Sequence, residues 1–261
     1  MIMKLLALFG LAACTLITSG CCNVCPEAAK AEASEFFGMA RSTTSTPRHR
    51  FVEKYNGWHK RYDAKRNQLY AANKKVDMIY IGDSITHGWE NRASMEVQKK
   101  FFPNLNILNL AHSGDRTEHQ YWMVRDSGFL DTAQAQLVVV LIGTNNIGHK
   151  VAGVEATAAG IKLIVETIRA KQPNAKVLLF GVFPRGEKPD NAFRVQVKAI
   201  NAMVAPLADN ENVFFVDLAD KLLEKDGSIS KKIMPDFLHL TPAGYTIWAE
   251  AIKPYAERFC R

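Results

Sequence analysis

Cysteine is scarce outside one end of the chain. Four of the five, Cys14, Cys21, Cys22 and Cys25, crowd the first 25 of 261 residues, and Cys260 stands alone near the other end. Cys22 and Cys25 have C-x-x-C spacing but lie outside any βαβ pattern, which argues against a redox role. In an oxidising compartment they could pair with each other, or one of them with Cys260. There is no second C-x-x-C and no H-E-x-x-H, so no metal site is expected, and no sequence pattern calls for a cofactor. The G-x-x-x-x-G-K-[ST] loop is also missing, as is a cluster of metal-binding carboxylates, which argues against phosphoryl transfer. No block of Lys and Arg and no nucleic-acid motif accompanies the formal charge of +7, so a solvated basic surface is the expectation and a nucleic-acid partner is not. No internal repeat is present, and no linker divides residues 51–261.

What is there begins with a leader. Lys4 precedes LLALFGLAACTLITSG, and Cys21 follows. A basic start, an apolar run and small residues make an export signal over residues 1–20, and the run is too short for a membrane span. It is similar to a bacterial lipoprotein signal. Cys21 is the favoured lipidation site, with Cys14, after Leu11-Ala12-Ala13, as the alternative. Plain cleavage and secretion is the competing reading. The predicted location is periplasmic or cell-surface, with a membrane tether through the N-terminal lipid. Residues 21–50 are rich in Ala, Ser and Thr with little periodicity and read as a flexible tether.

From residue 51 the pattern changes. Phe51, Tyr55, Trp58, Tyr62 and Leu69 recur at helical spacing, so one helix should pack an aromatic stripe on the domain, or line a substrate groove. Five strands are predicted: 76–81, 105–110, 137–142, 176–183 and 213–216. Leu137 to Ile142 is continuously apolar, as in a parallel strand covered on both faces. Helices are expected at 117–125, around Ile161 to Ile168, at 193–207, and from Thr241-Pro242, with threonine at the cap and proline at the first position. This alternation means βαβ units and a parallel sheet with helices on both sides.

Polar clusters follow three of these strands: Gly82-Asp83-Ser84, Ser113-Gly114-Asp115 and Gly143-Thr144-Asn145-Asn146. A fourth, Asp236-Phe237-Leu238-His239, precedes the last helix. Singly each has an ordinary explanation. Ser84 could be an N-cap, Gly114 and Asn145 turn residues, and His239 a structural histidine. Together they supply what acyl transfer needs. Ser84 would attack, and His239 would take its proton and return it to the leaving alcohol. Asp236 would fix the imidazole tautomer through its carboxylate or its backbone carbonyl. The N–H groups of Ser84 and Gly114 and the side-chain amide of Asn145 would hold the oxyanion. Asp83 and Asp115 read as structural, bonding loop N–H groups. Arg116 and Arg185 flank the site loops and could contact an anionic substrate, but solvated arginines are commoner, and His87, His112, His119 and His149 read as surface or loop residues.

With these four blocks in order, the chain resembles the SGNH hydrolases of the GDSL esterase/lipase superfamily. IGDSI, GTNN, FPRGEKP, DGSIS and MPDFLHLTPAGY are most similar to the catalytic subunits of intracellular platelet-activating factor acetylhydrolases. The resemblance implies a three-layer α/β/α sandwich with a central, about five-stranded parallel sheet, flavodoxin-like in topology. It implies a Ser84–Asp236–His239 triad, an oxyanion hole of Ser84, Gly114 and Asn145, and a homodimer. Ser113 departs from the glycine usual in close relatives, and the export leader departs from an intracellular enzyme. The expected substrate is a small acyl ester, with acetyl favoured and Ile85, Thr144 and Leu238 as a short acyl pocket. For an exported enzyme an O-acetyl glycan is the natural substrate. The alternatives are a lipid ester, for a lipid esterase, lysophospholipase or thioesterase, and a non-catalytic glycan-binding surface lipoprotein.

Overall fold

The computed structural model describes residues 56–260. The leader, both lipidation candidates, the tether, Phe51, Tyr55 and the Cys22–Cys25 pair lie outside the described residues. Among the described residues no helix is long and apolar enough to cross a membrane.

Five parallel strands form the sheet: β1 (Met78–Gly82), β2 (Ile107–Asn109), β3 (Leu137–Leu141), β4 (Lys176–Phe180) and β5 (Val213–Val216), in the order β2-β1-β3-β4-β5. Every residue of β1 and β3 is buried, which explains why both read as apolar runs and not as alternating ones. Their side chains still alternate between two cores. Ile79, Ile81, Val138, Val140, Val177 and Leu179 face one. Met78, Tyr80, Leu137, Val139, Leu178 and Phe180 face the other.

Helices cover both faces. Against the first core lie α1 (Asn56–Ala71), α4 (Thr117–Arg125), α7 (Val154–Lys171) and α8 (Ala192–Val204). Against the second lie α3 (Arg92–Phe101), the short α9 (Ala219–Leu222) and α10 (Pro242–Phe259). Short helices complete the chain: α2 (Ser84–His87), α5 (Phe129–Thr132) and α6 (Thr144–Gly148). This is a three-layer α/β/α sandwich. The aromatic stripe packs on the domain: Trp58 and Leu69 are buried, and Tyr62 lies against Trp58, Trp122 and Phe129. Thr241 caps α10 by accepting from Gly244 N–H at 3.3 Å, with Pro242 at the first position. Trp248 on α10 is fully buried among Trp89, Phe180 and Phe183.

Two strands are shorter than their apolar runs. The run from Leu105 to Leu110 gives only three ladder residues, because β2 is an edge strand with one neighbour. The run from Lys176 to Phe183 leaves the ladder after Phe180, since Val182 N–H turns to the Asn201 side chain at 2.8 Å.

Candidate active site

Parallel sheets bind ligands beyond the carboxyl ends of their strands, at the point where strand order reverses. Here that point lies between β1 and β3, whose last residues, Gly82 and Leu141, are register partners. A Cβ on Gly82 would lie 2.1 Å from Thr86 Oγ1 and 2.5 Å from the Leu141 carbonyl, so only glycine allows the chain to turn this tightly against β3. The chain then enters α2, a single turn continued by a 3₁₀ turn over Gly88–Glu90. One turn contributes little dipole, so Ser84 draws little support from the helix that it starts. Asp83 caps it, its Oδ1 accepting from Ile85 N–H at 3.0 Å. Tyr245 on α10 donates to the Ile85 carbonyl at 2.6 Å and clamps the turn from the other side.

The clusters that the sequence separates by about 150 residues meet at Ser84. Its Oγ lies 2.9 Å from His239 Nε2. His239 Nδ1 lies 2.6 Å from Asp236 Oδ2. The other Asp236 oxygen accepts from the backbone N–H of His239 at 2.7 Å and of Leu238 at 3.1 Å. The contact to the imidazole therefore runs through the carboxylate, the first of the two geometries left open by the sequence. Desolvation pushes the Asp236 carboxyl up, but the bonds to the His239 side chain and backbone outweigh it and hold the group below its ordinary value. An ionised Asp236 fixes the proton on Nδ1 and leaves Nε2 as an acceptor for the Ser84 hydroxyl. The tight loop puts Phe237 in the left-handed region at φ 60, with its carbonyl accepting from Gly186 N–H at 2.9 Å.

Gly114 has φ 80, a conformation that a side chain would strain. Asn145 is buried and donates from Nδ2 to the Asp115 carbonyl at 2.8 Å, which fixes the amide and leaves its second N–H for another acceptor. The two loops are laced together. Gln120 donates to Asp115 Oδ2 at 2.6 Å, Thr117 N–H to Asn146 Oδ1 at 3.0 Å, and Asn146 Nδ2 to Thr117 Oγ1 at 2.8 Å.

A crevice of about 210 Å³ opens beside Ser84 and His239, walled by Leu240 and Tyr245 on one flank and by His87, Asn91 and Ser113 on the other. Ile85, Thr144 and Leu238 do not line it. Ile85 and Thr144 are almost wholly buried, and Arg185 pins Thr144 by donating to its carbonyl at 3.0 Å and its hydroxyl at 3.2 Å. Sequence reasoning missed Tyr245, Asn91 and His87 as site neighbours, since nothing local marks them.

Several other expectations need correction. His112 and His119 are buried, not surface residues: His112 stacks on Trp58 at 5.1 Å, and His119 Nδ1 accepts from Arg116 N–H at 3.1 Å. Arg116 is buried against Glu118, and Arg185 lies over the Phe193 ring, so neither is a solvated arginine. A buried guanidinium such as that of Arg116 needs a partner, and the half-buried Arg185 also has one in Thr144. Asp83 bonds a loop N–H as expected, but its second oxygen, Oδ2, is buried without a partner, and desolvation pushes the carboxyl up to about 7.

The profile of the GDSL-like lipase/acylhydrolase family matches residues 80–247, which contain all four clusters. The chain belongs to this family. Members are carboxylic ester hydrolases, and so is this protein. It is 35% identical over 175 residues to the alpha1 subunit of platelet-activating factor acetylhydrolase IB from Homo sapiens, a match covering 67% of this chain and 72% of the relative. A GDSL-like lipase from Bacteroides thetaiotaomicron superposes with a TM-score of 0.62 at 20% identity, over 77% of this chain and 98% of that one. Est24, a carbohydrate acetylesterase from Sinorhizobium meliloti, superposes with a TM-score of 0.55 at 18% identity, over 70% and 99%. The two solved structures share the fold. Among the described residues of this GDSL hydrolase, no three His, Cys, Asp or Glu side chains converge as a metal site would require.

Proposed function

We propose that this GDSL hydrolase is an exported enzyme that removes acetyl groups from the hydroxyls of a glycan through an acyl-Ser84 intermediate. The observation that carries the reading is the continuous relay from Ser84 Oγ through His239 to Asp236, at 2.9 and 2.6 Å. Ser84 Oγ attacks the ester carbonyl carbon while its proton passes to His239 Nε2. The carbonyl oxygen becomes an oxyanion, held by the N–H groups of Ser84 and Gly114 and the free N–H of the Asn145 amide. Asp236 stabilises the imidazolium. On collapse, His239 gives its proton to the leaving alcohol and acyl-Ser84 remains. Water then gives a proton to His239 and its oxygen to the acyl carbon, releasing acetate and restoring Ser84.

A short acyl group agrees with the acetylhydrolase named among the relatives. The glycan alcohol is supported by the export-type leader and by the fold shared with a carbohydrate acetylesterase. Export with a lipid on Cys21 rests on the leader alone, and loss of membrane association in Cys21→Ser but not in Cys14→Ser tests it.

Hydrolysis of p-nitrophenyl esters from acetate to octanoate, with wild type beside Ser84→Ala, tests the reaction. Turnover highest on acetate and absent from the folded variant is expected. Preference for octanoate would move the assignment to a lipid esterase. Undiminished turnover in Ser84→Ala would remove Ser84 from the chemistry.

A further inference from the structure

The leaving alcohol must lie on the His239 side of Ser84, because that imidazolium hands it its proton. The crevice on this side contains Ser84 and His239 but not Asn145, Thr144 or Leu238. It is small, and it shares His87 and Ser113 with a second cavity of about 510 Å³. The far wall of that cavity is α1: Gly57, Arg61, Ala64 and Lys65, spaced as a single helical face, with Trp58 and the exposed Lys60 beside them. An alcohol too large for the crevice therefore finds its next space across His87 and Ser113, against α1.

The lining states what that alcohol should be. Arg61 is fully committed: Nε donates to the Ala111 carbonyl at 3.0 Å, one terminal nitrogen to the Asn109 carbonyl at 3.0 Å, and the other to Glu90. Lys65 binds the remaining Glu90 oxygen. A carboxylate already sits between these two cations, so an anionic ligand would have to displace it there, and Lys60 adds a third cation to the lining. The two histidines of the wall are neutral. Burial first, and then Arg61, pushes His87 down to about 4 and His112 to about 3. Their protons sit on different nitrogens. His112 Nδ1 lies 3.0 Å from the Leu110 carbonyl and must donate to it, so Nε2 carries a lone pair, and that buried atom has no partner. His87 Nδ1 accepts from Ser113 N–H at 3.3 Å, so its Nε2 carries the proton. The buried His112 Nε2 is closed to a ligand, so this wall offers the His87 N–H as donor and, as acceptor, the oxygen of the exposed Ser113 hydroxyl, 3.1 Å from His87 Nδ1, beside an indole and a neutralised carboxylate. A hydroxyl both donates and accepts, and a sugar ring presents several hydroxyls with an apolar C–H face.

We propose that this cavity is a subsite for the alcohol portion of the substrate, and that it binds a polyhydroxylated unit, the sugar next to the one that carries the acetyl group. The proposal rests on the esterase reading above and adds to it the place, the lining and the chemical class of the leaving group. Trp58, His87 and the Arg61–Lys65–Glu90 cluster become specificity determinants.

The test compares three substrates: p-nitrophenyl acetate, whose leaving group is a single ring; monoacetylated xylotriose; and a 2-acetyl glycerophosphocholine ether lipid. Two variants fill the cavity without touching the reacting residues. Ala64→Trp replaces an exposed residue of that helical face, and a Cβ at Gly57 meets nothing within 4 Å, so Gly57→Phe enters open space. Both variants should lower kcat/KM on acetylated xylotriose by about tenfold or more, mainly through KM, while p-nitrophenyl acetate stays within about twofold. Unchanged kinetics on acetylated xylotriose in both variants would overturn the subsite. So would equal losses on both substrates, which would report disturbed packing. Wild type that cleaves p-nitrophenyl acetate but not acetylated xylotriose would overturn the sugar assignment and leave the esterase standing. Lipid turnover that is faster than sugar turnover and falls in the same variants would give the cavity to a lipid headgroup. Wild type inactive on all three would remove the esterase reading itself. Should either variant fail to fold, competition in wild type decides: unacetylated xylotriose should inhibit p-nitrophenyl acetate hydrolysis competitively, and no inhibition would overturn the proposal.

Discussion

Asp83 immediately precedes Ser84, and its carboxyl is only 1% exposed. One oxygen caps α2 through Ile85 N–H, and the other is buried without a partner. Desolvation dominates, and the group titrates near about 7 instead of 3.8, although the Ile85 N–H and the charges of His239 and Arg185 favour the ionised form. The folded state therefore binds this proton more tightly than the unfolded state. Below pH 3.8 both states are protonated and the group has no effect on stability. As pH rises from there to about 7, the unfolded chain releases the proton first and stability falls. At about 1.4 kcal/mol per pH unit, the loss approaches about 4 kcal/mol above pH 7, of which about 3 kcal/mol falls between pH 5 and 8. Asp83→Asn keeps an oxygen for the Ile85 N–H, since asparagine caps as well as aspartate does. It removes the ionisation. Its amide N–H₂ in place of Oδ2 carries a cost that does not vary with pH. Titrating groups that do not interact with Asp83 are common to both proteins and cancel in the difference. Urea unfolding of wild type and Asp83→Asn at pH 5, 6, 7 and 8 should show the variant gaining on wild type by about 3 kcal/mol across the series. A difference that stays flat with pH would refute a carboxyl raised by burial at this position.

Two further predictions concern the residues around Ser84. Asn145→Ala should lower kcat by about 10²–10³, as loss of one oxyanion donor does, and should also cost about 1–3 kcal/mol of stability, because the Asp115 carbonyl loses the bond it receives at 2.8 Å; near-normal turnover would take Asn145 out of the oxyanion hole. Asp236→Asn keeps an acceptor for the two backbone N–H groups but loses the carboxylate that faces His239 Nδ1 at 2.6 Å. Turnover should drop by about 10³ or more with the loop intact by circular dichroism, and a drop below tenfold would mean that the backbone alone orients the ring.

The sequence by itself determined the five strands, the helices α1, α4, α7, α8 and α10, and the four polar clusters. Runs such as Leu137 to Leu141 are apolar because both faces of a parallel strand are covered, and that demand is written residue by residue. The cap of α10 is local for the same reason, since Thr241 and Pro242 act on their own helix. Gly114 had to be glycine because of its own φ, and the joint spacing of the clusters made Ser84, Asp236 and His239 legible together. What only the tertiary structure decided is non-local. The strand order β2-β1-β3-β4-β5 places the ends of β1 and β3 side by side, and no local pattern encodes which parallel strands are neighbours. Burial of His112 depends on Trp58, 54 positions earlier and on α1, so a polar residue type in a loop misled the reading. The isolation of Asp83 Oδ2 and the closing of Arg61 and Lys65 on Glu90 are likewise products of packing. The chain specifies the reacting groups by pattern, and the shape that selects their substrate arises where distant elements meet.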